Sequence, residues 1–108
     1  MRAVAAAMQA ANANVLLSGG VEQLQDQVHA ILAAAQRRSL QEFAAGPVAI
    51  DGGVPIDSMS AVFVCGVVDR VLGGGVLSKL ARHSRPTDFV STRALSSLLV
   101  RLRSRKAA

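Results

Sequence analysis

The chain has 108 residues, enough for one hydrophobic core and too few for two. Three Phe are its only aromatics, so the core has to be built from Val, Leu, Ile, Met and Ala, and a broad aromatic platform for stacking bases is excluded. The net charge is +5, but Arg101, Arg103, Arg105 and Lys106 lie in the last eight residues with no acid among them, leaving +1 for the rest: the excess is a tail and not a basic face.

The first twenty residues, MRAVAAAMQAANANVLLSGG, hold an early Arg, a short Ala-rich stretch and an A-x-A at Ala11 to Ala13, the parts of a secretory leader. The apolar stretch breaks at Gln9, which is short for a leader. Residues 1–20 therefore read as an Ala-rich N-terminal extension, a frayed helix or disordered, peripheral to the domain and closed by the breaker Ser18, Gly19 and Gly20. No apolar run approaches the roughly 18 residues that cross a bilayer, the longest being bounded by Asp57 and Asp69, so no membrane association is expected.

From Val21 the pattern is helical. Val21, Leu24, Val28, Ile31, Leu32 and Ala35 recur at spacings of three and four, with Glu22, Gln25, Asp26 and Arg37 on the other face, which predicts a first helix from Gly20 to Arg38. Glu22 then stands near its positive end and Arg37 and Arg38 near its negative end. Ser39 followed by Glu42 has the form of a capping box and predicts a short turn over 39–43. The Gly and Pro content of Ala44 to Pro55 predicts a long loop, with Val48, Ile50 and Val54 as its apolar anchors.

The run from Ser58 to Leu72 is rich in Val, a strand preference, but its fifteen residues are long for a strand. Asp57 and Ser58 are cap residues, and Gly73 to Gly75 form a stop, so a second helix is predicted. Its nearly all-round apolar surface places it at the centre of the core or leaves a face for a partner. Within it Cys65, the one cysteine, reads as a small core residue; it excludes an intramolecular disulfide and fits a reducing, cytoplasmic setting. Val76 to Ser84 suit a short third helix. Pro86 and Thr87 start a last one, with Asp88 in its first turn and Phe89, Leu95, Leu98, Leu99 and Leu102 as its stripe. The expected division is an extension over 1–20, a helical domain over 21–102, and a basic tail over 103–108 that frays into solvent.

Asp57 and Ser58 carry the functional question. An Asp-Ser pair before an apolar run is ordinarily a helix cap and nothing more. Here it follows a long loop, sits in a segment, Ser39 to Leu72, whose charge is −3, and precedes Met59, Ala61 and Val62. In this layout "IDSMSAV", Ile56 to Val62, resembles the Asp-Ser-Leu motif of the acyl and peptidyl carrier proteins, and "TDFVSTRALSSLL", Thr87 to Leu99, is similar to that family's last helix. The resemblance covers about Val21 to Leu102. It departs from the family at Pro55, where Gly is frequent two residues before the Asp, and at Phe63, where an acid that contacts partners is common.

The resemblance implies an all-α, four-helix carrier bundle with a long loop between its first two helices. It also implies that Ser58 receives 4′-phosphopantetheine from coenzyme A, with Asp57 as its acidic companion. Met59, Val62 and Phe63, on the apolar surface of the same helix, are candidates either for a face toward partners or the arm or for the core. The protein would then hold acyl or aminoacyl groups as thioesters in fatty acid, polyketide or nonribosomal peptide synthesis. It would be no enzyme itself but a substrate for a phosphopantetheinyl transferase and for loading and synthase enzymes.

Other chemistries find little in the residues. His29, His83 and Cys65 share no zinc-like spacing, no G-x-S-x-G elbow accompanies Ser58, and Gly73 to Gly75 lack the Lys-Ser/Thr of a phosphate loop. The rival reading is a small basic helical module for protein or nucleic acid, with Arg93, Arg101, Arg103 and Arg105 on phosphates. With those bases gathered at one end and no second basic stripe, nucleic acid is not the expected partner.

Overall fold

The computed structural model describes residues 2–46, 48–75 and 84–104. Their regular structure is helical: α1 (Arg2–Ala10), α2 (Ala13–Ser18), α3 (Val21–Ala35), α4 (Leu40–Ala44), α5 (Ser58–Val71), a 3₁₀ turn (Pro86–Phe89) and α6 (Thr92–Ser104). The all-α class predicted from the patterning is what forms. Among the described residues the one β-type pairing is an isolated bridge between Pro55 and Ser91. Most of the expected third helix, residues 76–83, and the tail from 105 onward lie outside the described residues.

The central element is α3, which touches α1, α2, α4, α5 and α6. Its predicted stripe is its buried face: Leu24, Val28, Ile31 and Leu32 meet Ala61, Val64, Cys65 and Val68 from α5 and Leu95, Leu98 and Leu102 from α6. Removing such aliphatic side chains from water, at about 25 cal/mol per Å² of apolar surface, is the main force holding the three helices together.

The segment over 2–20 is not peripheral. Ala7 on α1 and Leu16 on α2 are buried in the same core, and α1 lies along α3. Alanine has the highest helix propensity, and its short side chain allows close helix approach. Asn12 then turns the chain: its side chain accepts from Asn14 N and Val15 N, capping α2, while its own N–H donates to Gln27 Oε1 on α3 at 2.5 Å. The breaker does act as read, with α2 ending at Ser18 and Gly20 N donating to Gln23 Oε1 as α3 begins.

Two further boundaries differ from expectation. The first long helix stops at Ala35 and not at Arg38, because Arg37 takes a left-handed φ of 56°. The amides of Arg37 and Arg38 turn back to Ala34 O and Ala33 O, the paired bonds of a Schellman end. The last helix is split. Pro86–Phe89 is a separate 3₁₀ turn, Val90 and Ser91 intervene, and α6 starts at Thr92 with Ser91 Oγ accepting from Ala94 N at 3.0 Å. Ser91 competes for the role of cap and wins it, since its hydroxyl satisfies an orphan amide of the first turn.

Candidate functional site

The junction of loop and α5 is built from its backbone outward. Asp57 is the N-cap, with extended backbone, and its Oδ1 accepts from Ser60 N at 2.7 Å. That hydrogen bond holds its carboxyl below the ordinary carboxylate value. Ser58 is the first helical residue and is exposed. Capping, expected of the Asp57-Ser58 pair, is thus done by Asp57 alone.

The residues that follow divide between solvent and core. Met59 is 83% exposed and Val62 54%, while Phe63 is half-buried against the core cluster. Met59 and Phe63 line a groove of about 210 Å³ with Leu32, Ala35, Gln36 and Ser60, between the end of α3 and the start of α5. Val62 is not among its walls. A second cleft, about 270 Å³, lies on the other side of Ser60, where Arg38, Phe43, Pro55, Ile56 and Asp57 meet. Ser58 lines neither; its chain neighbours do, Asp57 the mixed cleft and Met59 the largely apolar one.

What fixes the junction is a polar seam that the sequence reading missed. Val48 and Ile50, expected as anchors, are exposed, and only Val54 of the three is half-buried. The loop is held instead by hydrogen bonds. Asp51 accepts from Gly53 N at 3.0 Å and from Ser91 Oγ at 2.5 Å, and these bonds, with Arg93 nearby, hold its carboxyl below the ordinary value. Val54 and Thr92 bond reciprocally: Val54 N donates to Thr92 Oγ1 at 2.9 Å and Thr92 N donates to Val54 O at 2.8 Å. Ile56 N, next to Asp57, donates to Val90 O at 3.2 Å. His29 Nε2 reaches Thr92 Oγ1 from α3 at 2.8 Å. The available signal was an Asp followed by two Gly, an Asx-turn pattern, and a Ser-Thr pair ahead of an apolar stripe.

The basic residues are partly engaged. Arg101 pairs with Asp88 at 3.0 Å, and Asp88 also accepts from Arg85 N at 2.8 Å, so this guanidinium is turned onto the protein's own 3₁₀ turn. Arg38 donates to Glu42 O at 2.9 Å and lies over the Phe43 ring, 5.9 Å from its centroid. Among the described residues no three His, Cys, Asp or Glu converge as for a metal ion, and no helix is long and apolar enough to cross a membrane. Comparison of the chain with protein-family models, with curated proteins and with solved structures returned no match.

Proposed function

We propose that this protein is an acyl or aminoacyl carrier loaded on Ser58 with 4′-phosphopantetheine. The observation that carries the reading is the division of labour at the junction: Asp57 does the capping, so the Ser58 hydroxyl is exposed at the start of α5 with no structural task. In the loading step Ser58 Oγ attacks the β-phosphorus of coenzyme A. A new P–O bond forms, the bond to the bridging oxygen breaks, and 3′,5′-ADP leaves. The hydroxyl proton passes to a base of the phosphopantetheinyl transferase, which also supplies the metal.

Such a role asks the carrier for an accessible hydroxyl at a fixed place and for no catalytic group of its own. The seam from Asp51 to Ile56 supports the fixed place, and exposed Met59 and Val62 offer an apolar contact to transferase, loading or synthase enzymes. In this reading α3, α5 and α6 take the places of the first, second and last helices of the carrier layout, and α1 and α2 are additions to it. The work would take place in the cytoplasm, where Cys65 stays reduced.

The test is the intact mass of the full chain after incubation with coenzyme A, magnesium and a broad-specificity transferase, beside Ser58→Ala. One arm on the wild type and none on the variant is the expected result. No addition with several transferases to a chain shown to be folded would overturn the reading and return weight to a helical interaction module.

A further inference from the structure

Thr92 is fully buried where three elements meet, and its hydroxyl is in demand from two sides. Val54 N–H donates to Oγ1, and His29 Nε2 lies 2.8 Å from the same oxygen. Among the described residues no further hydrogen bond to this hydroxyl is made, so Nε2 is the acceptor open to its proton. With Nε2 as the acceptor, the imidazole is neutral and carries its own proton on Nδ1.

We propose that His29 is a proton-sensitive latch whose protonation opens the seam between the 51–56 loop and the start of α6, freeing the junction that carries Asp57 and Ser58. Once protonated, Nε2 is a donor. It and Val54 N–H then take both lone pairs of one oxygen whose own proton has lost its acceptor in a buried site, and that unmet donor penalises the closed seam. The bonds that give way are those between Val54 and Thr92, and with them the bond from Ile56 N to Val90 O, one residue before Asp57.

The surroundings set the direction. On its own helix, Asp26 favours the charged imidazole. From α4 the uncharged Phe43 ring meets His29 edge-on at 5.3 Å, with the Arg38 guanidinium over that ring. From α6 comes Thr92. From the loop come the Val54 amide and Asp51, whose carboxylate is taken up by Ser91 and Gly53. Burial outweighs Asp26 and holds the His29 pKa below its ordinary 6.5. A lowered value in the closed state means that closure is favoured above the ordinary value. The ratio of open to closed then rises by up to about tenfold per pH unit below it, and levels off once the closed state also protonates.

The test reads amide exchange at Val54 and Ile56 from pH 8 to pH 5, corrected for the intrinsic pH dependence of exchange, with Val68 and Leu98 as core references. His29→Gln is the companion, since its Oε1 can take the Thr92 proton and does not titrate. The expected result is protection at Val54 and Ile56 that falls with pH in the wild type, stays level in His29→Gln, and leaves Val68 and Leu98 unmoved. A flat wild-type profile, the same slope in the variant, or loss at the core references in step would overturn the latch. Nitrogen chemical shifts of wild-type His29 at pH 8 give an answer independent of the variant: the Nδ1–H tautomer is expected, and Nε2–H would sink the proposal. None of these readouts depends on whether Ser58 can be loaded.

Discussion

Arg37 closes α3 with the same backbone motif with which Gly73 closes α5. In each the amide of the left-handed residue and the amide after it turn back into the last turn: Arg37 to Ala34 O and Arg38 to Ala33 O, Gly73 to Arg70 O and Gly74 to Asp69 O. The φ angles are 56° and 84°. Glycine enters this region without penalty, whereas a residue with a Cβ is strained there. Arg37→Gly is expected to stabilise the protein by about 0.5–1 kcal/mol, and Gly73→Ala to destabilise it by about 1 kcal/mol, read as shifts of the urea midpoint at constant slope.

Asp57 and Ser58 should separate cleanly. Asp57→Ala removes the acceptor of the Ser60 amide and lowers the melting temperature, while Asp57→Asn keeps a capping oxygen and largely restores it. Ser58→Ala removes no cap and is expected within about 0.5 kcal/mol of wild type. The carboxyl of Asp57 is held below its ordinary value by the bond to Ser60. Its contribution is therefore present above that value and lost as pH falls through the lower folded one, so the Asp57→Asn difference shrinks in acid. Thermal melts of the three variants between pH 7 and pH 3 check both points.

Two adjacent glycines in the loop are expected to respond differently. Gly52 has φ 90° and open space around its Cα, so Gly52→Asn, a residue that tolerates the left-handed region, costs less than Gly52→Ala. Gly53 has no room: a Cβ there would lie 2.7 Å from Arg93 N and 2.9 Å from Arg93 Cβ, which would push the loop off α6. Gly53→Ala should lose the Val54 and Thr92 bonds and destabilise by about 1–3 kcal/mol, while Gly52→Asn keeps them. Chemical denaturation together with the Val54 amide resonance distinguishes the two.

The elements that could be read from the sequence are those encoded by local rules. The stripe of α3, the capping box of Ser39 and Glu42, the start of α5 at Asp57 and its stop at Gly73 each need only residues within a few positions of one another. Arg37 gives no such signal, because nothing in an Arg announces a left-handed φ. The same holds for α1, where a run of alanines has too little apolar area to advertise a buried face until α3 is known to lie beside it. The site divides the same way. Ser58 and its cap were legible, but the seam joins Asp51 to Ser91, forty residues apart, and His29 to Thr92, sixty-three apart, through single polar atoms that no periodicity records.

Cys65 gives the last prediction. Its side chain is fully buried in the common core, and burial pushes the thiol up to about 12, so almost no thiolate exists at pH 8. The native protein is expected to be inert to disulfide reagents at that pH, and to react with one equivalent after denaturation. Cys65→Ala leaves only a small void, whereas Cys65→Ser puts a hydroxyl among Val and Leu side chains and should cost about 1–3 kcal/mol more. The silence of Cys65 has a practical consequence, because an arm on Ser58 would end in an exposed thiol. Reagent counts on native protein should rise from zero to one per chain after loading, and stay at zero for Ser58→Ala. A count of one before loading would mean that the core opens around α5 far more readily than its packing indicates.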